Sequence, residues 1–97
     1  MSVDTDLKAG LILDDFSRQL ADAQIGYELA AGNHQFTIEK DGVTYQVEFS
    51  ERVLLEHPIR DLEKAVPRII QQLLVAGGPC RLRVGDDAVG SPVCALL

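Results

Sequence analysis

Residues 35–50, QFTIEKDGVTYQVEFS, alternate apolar and polar side chains on both sides of Asp41-Gly42. Alternation with a period of two is the pattern of a half-buried strand, and Asp-Gly between two such runs predicts a β-hairpin with a two-residue type I′ loop. That loop sets Ile38 opposite Tyr45, Phe36 opposite Val47 and His34 opposite Phe49, with Thr37, Glu39, Thr44 and Gln46 on the other face. A three-residue loop over Lys40, Asp41 and Gly42 would turn Val43, Tyr45 and Val47 among the polar residues, and is rejected for that reason. Residues 27–31 alternate as well, ahead of Gly32-Asn33. A type II′ loop at that pair sets Leu29 against Phe36 and Tyr27 against Ile38. Both turns then select one apolar face, so the segment reads as a three-stranded antiparallel meander.

The flanking pattern has the helical period. Over residues 6–24, Ala9, Ile12, Leu13, Phe16, Leu20 and Ala23 fall on one stripe at 3.6 residues per turn. Asp4 or Thr5 suits the N-cap and Gly26 a left-handed stop. Leu7 and Leu11 lie off the stripe, beside Asp14, Arg18 and Asp22. A helix that begins later than drawn, or a first turn folded inward, explains them as structure; an apolar spot for a partner explains them as function. Residues 50–57 admit a late strand end, a helical turn, or a segment draped over the core. His57-Pro58 then opens a second helix, proline suiting its first position. Ile59, Leu62, Ala65, Val66, Ile69, Ile70, Leu73, Leu74 and Ala76 form its stripe, which keeps phase across Pro67, so a kinked helix or two segments nearly in line is expected there.

Gly77-Gly78-Pro79 is a stop. Cys80, Leu82 and Val84 alternate with Arg81 and Arg83 as a fourth strand, parallel to the third through a helical crossover and of undetermined neighbour. Arg81 and Arg83 join Glu28, Glu39 and Glu48 on the polar face, where cross-strand ion pairs are expected. Residues 85–91 are turn-like, and 92–97 fit a short edge strand or a free tail. The whole is an α+β fold in the order α-β-β-β-α-β: a meander plus a fourth strand, two helices on one face, and a single small domain over residues 1–97.

Composition narrows the partner more than the chemistry. Of the 97 residues 46% are hydrophobic, which suits one mainly aliphatic core. The net charge is −6. Residues 1–56 carry eleven acids and four bases, and residues 57–97 carry four acids and five bases, so the acidity is N-terminal. Such a surface repels nucleic acid and anionic membranes. No signal peptide or transmembrane span is visible, and a cytoplasmic protein is expected.

Candidate chemistry is sparse. The two histidines, His34 beside a turn and His57 before Pro58, lack metal-ligand spacing and read as structural; an enzyme of unrecognised type would use one of them with a carboxylate. Gly77-Gly78 follows a helix, whereas phosphate loops precede one. No cofactor or metal is expected, and the Asp14-Asp15 and Asp86-Asp87 pairs lack the ligand spacing of a calcium loop. Cys80 and Cys94 are expected as reduced, partly buried thiols, although a hairpin closed over residues 85–91 would set them face to face and let a disulfide form under oxidising conditions. Cys94, Ala95, Leu96 and Leu97 match a prenylation pattern without the polybasic stretch that accompanies it, and read as an apolar terminal strand.

What remains is a surface for protein: the Leu7 and Leu11 spot, an exposed edge of the third or fourth strand, and the line Arg60, Lys64 and Arg68 along the second helix, which faces a protein whose other half is acidic. The expected function is a non-catalytic interaction module whose partner is a protein, a second copy of itself included. In element order and acidity, residues 7–84 resemble the small secretion chaperones of type III systems. That resemblance is one of topology, without motif residues, and implies a helix-and-sheet dimer that holds an extended segment of its partner.

Overall fold

The computed structural model describes residues 3–76, 78–84 and 94–96. Its elements are α1 (Val3–Gln19), β1 (Gln24–Ala30), β2 (Asn33–Lys40), β3 (Val43–Ser50), α2 (Glu51–Glu56), α3 (Ile59–Val75), β4 (Cys80–Val84) and β5 (Cys94–Leu96). The five strands form one sheet in the order β1-β2-β3-β4-β5, with β4 parallel to β3 and the other neighbours antiparallel. This is the expected α+β arrangement, with α2 and β5 added.

The central hairpin closes as read from Asp41-Gly42. Both loop residues have positive φ, 53° and 77°, and Phe36 faces Val47, Ile38 faces Tyr45 and His34 faces Phe49. The first hairpin differs. Its loop is Ala31-Gly32, with φ of 53° and 79°, so Tyr27 faces Phe36, Leu29 faces His34 and Ile25 faces Ile38. The register has slipped by two residues from the type II′ expectation. An even slip keeps every side chain on its face, so the apolar side survives intact.

On that side Phe36 sits among three rings: Phe16 of α1 and Phe49 with centroids each 5.6 Å away, and Tyr27 at 5.2 Å. Burying such a ring stabilises the fold by about 1.5–3 kcal/mol, and tilted or edge-on ring pairs add to that. Cys80, Leu82 and Val84 of β4 extend the same layer. α1 covers it with Ala9, Ile12, Phe16 and Leu20, and α3 with Leu62, Ala65, Val66, Ile69, Ile70 and Leu73. Leu74 departs from the expected stripe and is half exposed at the end of α3.

The end of α1 corrects the sequence reading, and two further segments resolve what it left open. α1 ends at Gln19 rather than near residue 24: Leu20 N–H makes a last helical bond to Phe16 O, the chain then turns through a bond from Ala23 N–H to Leu20 O, and Gly26 lies inside β1 instead of capping the helix. Residues 51–56 form a helix: the Ser50 hydroxyl accepts the Val53 N–H at 3.1 Å as its N-cap, and Val53 and Leu54 enter the core. At the far end of α2, Lys8 donates from Nζ to the carbonyls of Leu54 (2.6 Å) and His57 (2.9 Å), placing a cation where helix carbonyls lack partners. α3 then runs through Pro67 as one helix, with the proline on its exposed side and Pro58 as its N-cap.

On the open face, Arg83 pairs with Glu48 at 3.7 Å, and Arg81 donates to Gln46 at 3.0 Å. Cys80 is disulfide-bonded rather than a reduced thiol. β5 lies beside β4, so the backbones at positions 80 and 94 occupy adjoining strands. The Asp86-Asp87 pair, the turn at 85–91 and the side chains of the prenylation-like terminus lie outside the described residues.

Candidate functional site

Two surfaces and one buried chain of polar groups compete for a functional role. The first surface is the pair of off-stripe leucines. Leu7 is 62% exposed and Leu11 40%, on a helix that begins earlier than expected, so neither a late start nor an inward turn accounts for them. They are four residues apart and therefore on one face of α1. Leu11 borders a shallow open depression with Asp14, Ser17, Arg18 and Glu63 where α1 meets α3. Arg60, Lys64 and Arg68 are exposed on α3 but do not line that depression, so the basic line and the leucine pair are separate features.

The second surface is the edge of the sheet. An exposed edge on the third or fourth strand is excluded by the strand order: β3 lies between β2 and β4, and β4 between β3 and β5. Among the described residues the edge formed by β1 has no strand beside it. It is seven residues long, QIGYELA, with neither a lysine nor a proline to guard it, and Tyr27 and Leu29 are each 38% exposed. Natural sheets blunt such edges with charge, proline or a bulge, since unpaired N–H and C=O groups template another strand. The local backbone explains which groups are unpaired. A two-residue loop closes on a hydrogen-bonded pair, here Ala30 with Asn33, and such pairs recur at every second residue. Glu28, Gly26 and Gln24 therefore spend their N–H and C=O groups on β2, and Leu29, Tyr27 and Ile25 turn theirs outward.

Behind this edge lies the buried chain. His34 is fully buried on the apolar face, which a lone imidazole tolerates only if both ring nitrogens have partners. Tyr27 Oη lies 2.5 Å from Nδ1, and Glu51 Oε2 lies 3.0 Å from Nε2. A carboxylate only accepts, so Nε2–H donates to Glu51, and Nδ1 accepts the Tyr27 O–H. The Thr5 hydroxyl, also buried, donates to the same carboxylate. The Thr5 bond foremost, with the His34 bond after it, holds the Glu51 carboxyl below its usual range against the opposing effect of desolvation. Desolvation pushes the Tyr27 hydroxyl up, assisted by the charges of Asp6 and Glu51.

This is a histidine with an acid in reach, as the enzyme alternative requires. Yet His34 is sealed, and neither the depression on α1 nor a second one lined by Asn33, Glu48, Ser50, Arg83 and Val84 includes it. The chain Thr5–Glu51–His34–Tyr27 instead fixes Tyr27, whose ring stacks on the imidazole at 5.8 Å, in the middle of the open edge. His57 sits elsewhere, at the C-cap of α2. Among the described residues no group of three potential metal ligands occurs, and no helix is long and apolar enough to cross a membrane.

Sequence reasoning placed His34 on the apolar face but missed both its partners and the β1 edge. The available signal was the histidine itself, an inward strand position occupied by a group that must be hydrogen-bonded.

No protein-family model matches the chain, and no solved structure matches it. Part of the chain is similar to two curated proteins. One is a biotin carboxylase of Nostoc sp., 32% identical over 59 residues, which is 61% of this chain and 13% of that protein. The other is a biotin carboxylase of Allochromatium vinosum, 38% identical over 63 residues, 64% of this chain and 14% of that protein. The chain thus matches about one seventh of the length of these relatives.

Proposed function

We propose that this chain is a non-catalytic protein-interaction module that takes up an extended segment of protein along the open edge of β1. The observation that carries this is the seven-residue edge, without lysine or proline and charged only at Glu28, on which Ile25, Tyr27 and Leu29 turn their N–H and C=O groups outward. Strand addition uses such an edge directly: main-chain hydrogen bonds supply affinity, and alternate side chains supply selectivity. The Tyr27 ring, pinned by His34, offers a partner a rigid aromatic anchor with little ordering left to do.

A second reading rests on Leu7 and Leu11, whose exposure makes α1 a docking face for an apolar side of a partner. Peptides selected from a random displayed library on the wild-type chain, then titrated by calorimetry against variants, separate the two. Leu29→Pro removes one outward N–H at a position where an edge strand accepts proline. Weaker binding to Leu29→Pro and unchanged binding to Leu7→Asp with Leu11→Asp supports the edge. The reverse pattern moves the function to α1.

A further inference from the structure

Resting on that reading of the edge, we infer that the segment β1 takes up is β1 of a second copy, paired antiparallel about a two-fold axis through Tyr27. Register selects this pairing. Only pairings that match odd residues with odd keep the helices of both copies on the same side of a continuous sheet. They are also the pairings that join outward groups to outward groups, since Ile25, Tyr27 and Leu29 carry the unpaired N–H and C=O. Among them, one centres the strand on itself. It sets Tyr27 against Tyr27 of the second copy, Ile25 against Leu29, and Gly26 against Glu28. Three apolar positions from each copy form one row on the helix side, and all the outward groups of residues 25–29 are used.

The neighbouring registers are worse. A shift by two in one direction places Glu28 directly opposite its own copy, where like charges destabilise. A shift in the other direction sets Leu29 against residue 23, beyond the end of β1.

Gly26 is a second, independent observation. A glycine inside a strand weakens it, and usually marks a strained backbone or the close approach of another chain. Its own chain supplies no such reason: its φ is not left-handed, and a Cβ built there meets no atom within 4 Å. In the proposed pairing it lies at a closely spaced, non-hydrogen-bonded position opposite Glu28, the one charged residue of β1. The symmetric contact closes on itself and leaves neither copy with β1 unpaired, joining two five-stranded sheets into one.

Charge gives the test its sign. Gly26→Lys places a cation against each Glu28 of the other copy, and Gly26→Glu places an anion there, while both add a side chain to the same empty space in the monomer. Sedimentation velocity over a concentration series is expected to show a monomer–dimer equilibrium tightened about two- to tenfold by Gly26→Lys and loosened by a similar factor by Gly26→Glu. Leu29→Pro, which removes a donor from each copy, is expected to loosen it about ten- to a hundredfold. Amide exchange by NMR reads the register: the N–H groups of Ile25, Tyr27 and Leu29 gain protection as concentration rises, while those of Gly26 and Glu28 are protected throughout by β2. Added salt should tighten the dimer, because each copy carries −6, whereas association of the Arg60, Lys64 and Arg68 line with the acidic half would weaken. A monomer at every concentration overturns the inference, as does a dimer whose protection appears on α1 or α3, or one that Gly26→Lys and Gly26→Glu shift equally. If the chain is monomeric and Leu29→Pro still weakens peptide binding, the edge stands and only the second copy is refuted.

Discussion

Replacing Glu51 with alanine puts a number on the chain of polar groups behind β1. At neutral pH this carboxylate accepts from His34 Nε2–H and from the Thr5 hydroxyl, and both donor residues are fully buried. A buried donor that loses its acceptor costs about 1–3 kcal/mol. Two donors sharing one carboxylate are coupled, so the pair should cost about 2–5 kcal/mol rather than a simple sum. For a domain of this size that lowers Tm by about 10 °C or more. Glu51→Gln keeps one accepting oxygen and should cost roughly half as much.

Urea unfolding followed by far-UV circular dichroism at low protein concentration measures both variants without a contribution from association. In a His34→Leu background one donor is gone, and Glu51→Ala should cost correspondingly less. Glu51→Ala within about 0.5 kcal/mol of wild type, or Glu51→Gln as the worse of the two, would show that the carboxylate does not hold these donors. The pH dependence carries a sign as well. The folded carboxyl titrates below its unfolded value, so its stabilisation is present above the ordinary carboxylate range and is lost as pH falls through that range toward the folded value. Glu51→Gln should flatten that acid limb.

Four further substitutions have defined outcomes. Ala31 holds φ of 53° in the first hairpin loop, a conformation asparagine accepts more readily, so Ala31→Asn should stabilise the fold by about 0.5–1 kcal/mol in thermal unfolding. Pro67 lies inside α3 and denies a donor to the Glu63 carbonyl; Pro67→Ala should raise stability by about 1–3 kcal/mol, and a loss would show that core packing requires the proline geometry. Leu7→Asp with Leu11→Asp should leave urea stability within about 1 kcal/mol, and a larger fall would mean that these side chains support their own fold. Phe36→Ala should cost about 3–5 kcal/mol, since three rings surround the space it vacates.

How much of this was legible in the sequence depends on how local the deciding contact is. The β2–β3 register rests on Asp41-Gly42, two residues that both take positive φ easily, and it could be read residue by residue. The first hairpin was read two residues off, because apolar alternation carries no penalty for an even slip. The loop at Ala31-Gly32 sets Tyr27 opposite Phe36 and against the ring of His34. Helical spacing set Leu7 and Leu11 off the apolar stripe, and the observed start of α1 at Val3 shows them exposed. Glu51 was invisible as a partner of His34, because it lies seventeen residues away at the first position of a helix that the apolar pattern left ambiguous. The open edge could not be located while the neighbour of β4 was unknown, since only the full strand order shows that the edges of the sheet are β1 and the three-residue β5.

The parallel seat of β4 beside β3 also has a kinetic side. The meander from residue 24 to residue 50 joins neighbours through two-residue loops and assembles from contacts close along the chain. Tyr45 meets Cys80 only after α2 and α3 have been laid down between them. Loop closure across that span is the slow step that topology imposes, and in a chain made from its N-terminus it follows the meander. Until residues 80–84 arrive, β3 is a bare edge too, and the unfinished chain exposes a strand on both flanks. The interval in which this protein is most liable to pair wrongly is therefore set by how fast α3 delivers β4.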